Sequence, residues 1–427
     1  MTNMQYQSLR KGNRNMQYGI SIIRKCYLLS VLLATVWLTG CVQEELGPTP
    51  SPSGNAIRFT LTVPDVNLPS VSSRTMTGTG TAKKEDEIET VDILVFDMSK
   101  TPAVYLECAS ATGVTQDLAD NSTVSFSAVL SPTTASTCIV VVANKEFDDI
   151  VSGFRKGVTT KVEAMEKMIH AQTGKWLADG STTGGYTRIP MYGEKVLSKI
   201  TPSMNPITGI NMKRMLARID IRNNSVTSNF TVEEVYLANY NTTGYIAPAW
   251  DTNGQVTEPI PDTPVLPAGS GKMTEEGDAI LYSVNGNTPY DGEIYTFESL
   301  AAEDAGGAGQ DGEASRKDAT CLIVKGRIGT GESTFYRVDF TKNGNTGEQV
   351  EYLPLKRNHK YIITITKALG TGYKSFSEAL ASYTVMSNLK FRLIHYDRDK
   401  VKDVVYNGQY MLGVGESEVA VTQYQNN

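Results

Sequence analysis

Ile57-Arg58-Phe59-Thr60-Leu61-Thr62-Val63 alternates apolar and polar side chains without a break. Successive side chains of a strand point to opposite faces, so Ile57, Phe59, Leu61 and Val63 form the buried side of an extended segment. Pro64, which has no N–H to give to a ladder, ends it. Val91-Asp92-Ile93-Leu94-Val95-Phe96 is a second strand, and Cys138-Ile139-Val140-Val141-Val142-Ala143 a third. The third is apolar at every position, as expected of a strand covered on both faces.

The same pattern continues to the end of the chain. Strands are expected over 216–221, 232–237, 360–367 and 389–393. A hairpin is expected where 335–340 meets Asn343-Gly344 ahead of 349–353. Tyr410, Leu412 and Val414 alternate near the C-terminus, as do Val419 and Val421. One helix stands out over 161–172, with Val162, Met165, Met168 and Ile169 on one stripe. Thr159 or Thr160 would cap it and Gly174 would stop it. Pro202, Pro206 and Gly209 interrupt regular structure over 198–209, which reads as a junction. Residues 303–314 read as a surface loop. The expected fold is mainly β: two domains, about 55–200 and 205–427, with one or two short helices.

The chain has 427 residues, more than one compact core usually holds. Its net charge of −6 and the absence of a long basic run argue against nucleic-acid binding. The 21 tyrosines suit half-buried pleated surfaces. Cys108, Cys138 and Cys321 remain once Cys26 and Cys41 are assigned to the leader, an odd number that cannot complete a disulfide framework. Buried free thiols are the expectation, with a Cys108–Cys138 bridge as the other option.

Residues 1–40 form a secretory leader: Arg24-Lys25 precede an apolar run to Trp37, too short for a membrane span of ~20 residues. Translation starts at Met1 or Met16. Leu38-Thr39-Gly40-Cys41 resembles the lipobox of bacterial lipoproteins, in which the cysteine sulfur carries the lipid. Residues 41–54, rich in Pro, Ser and Gly with Glu44-Glu45 near the start, read as a flexible tether to an outer-membrane anchor.

Several landmarks then fall in a familiar order. They are Cys41, the strand from Asn55, Ser73-Arg74-Thr75, Glu85-Asp86-Glu87 and Val140-Val141-Val142-Ala143-Asn144. Lys213-Arg214-Met215-Leu216-Ala217-Arg218 and Lys356-Arg357-Asn358-His359-Lys360-Tyr361 complete the series. Together they resemble the fimbrillin family, the Bacteroidales major fimbrial subunits or type V pilins. The resemblance implies two tandem β-sandwich domains of transthyretin-like, Greek-key type. It also implies export as a lipoprotein and a cut by a trypsin-like protease between Arg74 and Thr75, with Lys83 and Lys84 as competing sites. Head-to-tail polymerisation into a surface fimbrium, with roles in adhesion and biofilm formation, would follow.

Such a cut removes residues 55–74 from the N-terminal domain, and with them the strand carrying Ile57, Phe59, Leu61 and Val63. Each of those side chains is worth ~1.5–3 kcal/mol when buried. The emptied groove would recruit a strand from a neighbouring subunit. The expected donor is the tail, about 401–427, through Tyr410, Leu412, Val414, Val419 and Val421.

The alternative is a lipid-anchored glycan-binding protein or tip adhesin, in which Tyr236, Tyr240, Tyr245 or Trp250 stacks on sugars. Expected partners are other pilin subunits, the protease and host or bacterial surface receptors. No catalytic motif, metal site or cofactor is expected. His170, His359 and His395 lack ligand spacing, and Asp397-Arg398-Asp399-Lys400 reads as a solvated turn.

Overall fold

The computed structural model describes residues 56–63, 85–116, 123–145, 148–177, 187–202, 204–224, 228–270, 276–286, 290–302, 316–342, 351–382, 388–398, 403–406, 410–414 and 419–423. The leader, Cys41, the tether, the Arg74–Thr75 bond and the 303–314 loop lie outside them.

Strand β1 (Ala56–Thr62) lies inside a four-stranded sheet rather than at its rim. It runs antiparallel to β5 (Thr123–Val129), with Phe59 opposite Phe126, and parallel to β9 (Ile207–Asn211). The sheet order is β4-β5-β1-β9, with β4 spanning Thr112–Gln116. A second sheet has the order β10-β8-β6-β2-β3: Lys213–Arg214, Met191–Leu197, Thr137–Ala143, Val91–Asp97 and Val104–Ser110. Ile57, Phe59, Leu61 and Val63 meet Ile93, Val95, Ile139 and Val141 of this second sheet in one apolar core.

β6 is buried at all seven positions, and its period-2 geometry explains why. Ile139, Val141 and Ala143 enter the core shared with β1. Cys138, Val140 and Val142 enter a second core on the opposite face, which also takes Met165, Trp176, Tyr295 and Phe297. β3 and β6 flank β2 on opposite sides. Two strand spacings of ~4.8 Å separate them, beyond the ~7 Å limit for a disulfide. Cys108, Cys138 and Cys321 are accordingly free thiols; Cys108 is only half-buried.

Two further four-stranded sheets enclose a third core. One has the order β15-β11-β18-β19: Tyr290–Thr296, Ala217–Asn223, His359–Ala368 and Leu389–Asp397. The other has the order β14-β12-β16-β17: Ile280–Gly286, Phe230–Ala238, Cys321–Ile328 and Thr334–Asp339. Ile219, Ile221, Tyr361 and Ile363 from the first meet Val235, Leu237, Leu322 and Val324 from the second. Of the expected hairpin the described residues show one backbone bridge, Thr341 with Tyr352, and its Asn343-Gly344 turn lies outside them.

Two sequence expectations need correction. The helix stops at Lys167 instead of running to 172. Thr160 supplies a capping box with Glu163, so its start is as expected. Its stop is set by tertiary pairing: Ile169–Ala171 forms β7, antiparallel to β13 (Thr243–Tyr245). The 198–209 segment, expected as a junction, runs into β9, and pairing with the first two sheets continues to Arg214. Gly209, at φ +70°, sits where the β1–β9 register shifts, a conformation open to glycine.

Candidate functional site: a buried first strand and the ion cluster behind it

All four core-facing residues expected on the first strand are at most 3% exposed. Phe59 stacks on Phe126 with centroids 4.9 Å apart and planes 6° from parallel. On the other side Met212 N–H donates to Thr62 O at 2.8 Å. β1 therefore fills a slot between β5 and β9, walled by Val124, Phe126, Ala128, Ile207 and Ile210.

Past residues 64–84 the described chain resumes at Glu85, and there the surroundings change from apolar to ionic. Glu85 is 3% exposed. Arg398 faces it at 3.2 Å, Arg218 also pairs with it, and the Tyr295 hydroxyl donates to it at 3.0 Å. Burial alone would push the Glu85 carboxyl up. Arg398, Arg218, Arg214 and the Tyr295 hydroxyl outweigh that and hold it well below the usual carboxylate range. Asp86 receives Arg214 Nε at 2.7 Å, while Arg214 Nη1 donates to Asn358 at 3.1 Å. Arg218 also donates to the fully buried Asp220 at 2.9 Å, and Lys360 reaches the same carboxylate at 3.0 Å.

The backbone of 86–89 is held just as firmly. Gln116 accepts from Ile88 N–H at 3.0 Å and donates to Asp86 O at 2.7 Å. Asn144 accepts from Glu89 N–H at 3.0 Å and donates to Glu87 O at 2.8 Å. Asn144 and Asn358 both adopt positive φ, a region asparagine tolerates.

The stretches quoted from the sequence as separate landmarks thus converge here. Glu85-Asp86, Asn144, Arg214, Arg218, Asn358 and Lys360 all contribute to one cluster. Next to it, Arg357 pairs with Glu298 at 2.6 Å and donates to Ile246 O at 2.8 Å.

Sequence reading missed this cluster. Arg398, expected in a solvated turn, is 3% exposed and inside it.

The remaining candidates separate. Tyr410, Leu412 and Val414 fall in β21 (Tyr410–Val414), and Val419 and Val421 in β22 (Val419–Gln423). With β20 (Asp403–Tyr406) these strands form a sheet of order β20-β21-β22, and among the described residues they pair only with one another. Cys41, Arg74 and Thr75 lie outside the described residues.

Of the proposed sugar-stacking residues, Tyr240 is buried at 4% exposure. Tyr236 donates to Glu234 at 2.7 Å and packs edge-on against Phe376. Tyr245 and Trp250 pack edge-on against each other. These are packing roles. His170, wedged against Trp176 and Phe297, has its pKa lowered to about 4 by burial and by Lys145. Among the described residues no group of three or more His, Cys, Asp or Glu is placed to hold a metal ion.

Residues 57–208 match the family model of the major fimbrial subunit protein, FimA. No curated protein matches the chain. Among solved structures, the chain is similar to the C-terminally truncated tip fimbrial protein Mfa3 of Porphyromonas gingivalis. The identity there is 15% and the TM-score 0.42, covering 80% of this chain and 99% of the other. A candidate cell adhesion protein of Parabacteroides distasonis is 15% identical with a TM-score of 0.40, covering 80% and 97%. A fimbrial assembly protein of the same species is 10% identical with a TM-score of 0.38, covering 86% and 98%.

Proposed function

Starting from a chain that belongs, through residues 57–208, to the Bacteroidales fimbrial subunit family, we propose that it is a non-enzymatic building block of a surface fimbria whose first strand is a removable plug. The observation that carries this reading is the position of β1. It is an interior strand with its whole apolar face buried, and Glu85, 22 residues after Val63, is already held in the ion cluster.

Cleavage between Arg74 and Thr75 by a trypsin-like protease would release β1 together with the Cys41 lipid anchor that holds the precursor at the outer membrane. The slot between β5 and β9 would then offer two unpaired edges and an apolar floor. A strand from another subunit fits such a slot by β-addition, and the contact is head-to-tail, so it propagates. On this reading the sheet pairs form two tandem β-sandwich domains, and adhesion to a host or bacterial surface is the fibre's task.

In a shaft subunit the donor is the tail carrying Tyr410, Leu412, Val414, Val419 and Val421. The self-pairing of β20, β21 and β22 favours a second position, at the fibre tip. A tip subunit accepts a strand and donates none, so its tail can remain folded on itself. Deleting the chain from Tyr410 onward separates the two positions. A shaft subunit so truncated stays folded and secreted but forms no fibres. A truncated tip subunit still joins the end of fibres made by its partners.

A further inference from the structure

The C-terminal tail leaves the fold from the end of β19, and β19 lies at the edge of its sheet. It pairs antiparallel with β18 on one side and, among the described residues, with no strand on the other. Its register runs from Leu389 opposite Ala368 to Asp397 opposite His359, so the pair nearest the tail is the last one. Tension on the tail loads that pair first. A strand with a single neighbour, drawn from its end, opens one ladder bond after another, and each bond is weak when it breaks alone.

Arg398 stands where such opening would begin. Its N–H donates to Asn358 O at 3.1 Å, which extends the ladder by one bond. Its guanidinium meets both oxygens of Glu85, at 3.2 and 3.3 Å, the two-point geometry that makes arginine–carboxylate pairs strong. Glu85 is in turn fixed by Arg218 on β11 and by the Tyr295 hydroxyl on β15. Those strands lie beyond β18 from β19, so the pair reaches past the ladder that would peel. Directly after Glu85, Asp86 receives Arg214 of β10, and Gln116 and Asn144 hold the backbone of 86–89 ahead of β2. Force arriving at Arg398 therefore has a route into both sheet pairs that avoids the β18–β19 ladder.

We propose that the Arg398–Glu85 pair is a mechanical stop, which passes tension on the C-terminal tail to β11, β15 and the segment leading into β2, so that β19 is not peeled from β18. Drawing Arg398 out leaves the buried Glu85 carboxylate without its two-point partner, a larger barrier than the loss of one ladder bond. That the tail comes under tension rests on the shaft reading of the proposed function, in which a neighbouring subunit holds it. The stop itself belongs to the single chain.

The test is to pull single full-length chains at constant force in optical tweezers. One handle is at the C-terminus and the other on an unnatural amino acid replacing the exposed Ser125 of β5. Forced opening reads the rate of barrier crossing directly. Loss of Leu389 to Arg398 alone frees ten residues and lengthens the chain by about 35 Å. In the wild type no separate step of that size is expected ahead of the larger unfolding events. In Arg398→Gln the step should appear, at a rate at least ~100-fold above the wild-type limit, as breaking a buried pair implies. Arg398→Lys, which keeps one charge facing Glu85, should fall between the two and carries the test if the Gln variant does not fold. Gly326→Ala weakens the facing sheet without touching the pair and should add no such step. A wild type that loses β19 as fast as the Arg398 variants overturns the stop and leaves the fibre reading standing. So does the same step in Gly326→Ala, which would mark it as a sign of general weakening. Fibre formation by the chain truncated from Tyr410 overturns the shaft reading, and the stop's role in a fibre with it.

Discussion

Arg398 reaches back across 312 intervening residues to pair with Glu85 at 3.2 Å, both side chains 3% exposed. The pair ties the segment that follows the 64–84 stretch to the segment from which the C-terminal tail departs. Both ends of the proposed polymerising chain are therefore rooted in one cluster.

Removing the charge on Glu85 leaves three guanidinium groups facing a neutral amide. Glu85→Gln should cost roughly 3–5 kcal/mol of stability at pH 7, the usual penalty for breaking a buried pair from one side. Because the Glu85 pKa is depressed on folding, its contribution is present above the ordinary carboxylate range and is lost as pH falls through the depressed value. Urea unfolding of the two proteins should differ most at neutral pH and converge in strong acid. Equal midpoints at pH 7 would remove the cluster from the account.

His170 acts in a different window. Its pKa falls from 6.5 to about 4 on folding, so the neutral ring is favoured in the folded chain. Its contribution is complete above pH 6.5 and declines as pH drops towards 4, by at most about 3 kcal/mol at ~1.4 kcal/mol per unit. His170→Gln should flatten the stability profile between pH 6.5 and 4. An unchanged slope in that range would show that other groups produce it.

A peptide covering residues 55–63 should bind a chain that begins at Thr75, because it restores β1. Phe59 stacks on Phe126 and is 1% exposed. Truncating a buried Phe costs roughly 3–5 kcal/mol, so a Phe59→Ala peptide should bind at least ~100-fold more weakly. Titration calorimetry reads both. Equal affinities would mean that the slot closes once β1 leaves.

Gly326 pairs with Val232 where the β12–β16 register shifts. A Cβ there would collide with Thr231 O and the Phe230 ring. Gly326→Ala should destabilise the chain by roughly 1–3 kcal/mol through overpacking, measured as a lower urea midpoint. A neutral result would mean that the bulge can relax.

Strands that bury one face, such as β1 and β18, were legible because alternation is a local property of the chain. β6 was legible for the opposite reason, being apolar on two faces that meet two cores. The helix end was not legible. Met168 and Ile169 extend the apolar stripe, but pairing with Thr243–Tyr245 draws 169–171 into a strand. Likewise Pro202, Pro206 and Gly209 break the local pattern of a segment that leads into β9 beside β1. The ion cluster had no local signature at all. Glu85, Arg214, Arg218 and Arg398 each look like solvated charges, and only the fold brings them together.

The most direct test of the removable first strand is the N-terminal sequence and lipid content of this chain recovered from assembled surface fibres. A removable first strand requires a chain that starts at Thr75 and carries no lipid. A chain that still begins at lipidated Cys41, with β1 in place, would contradict it.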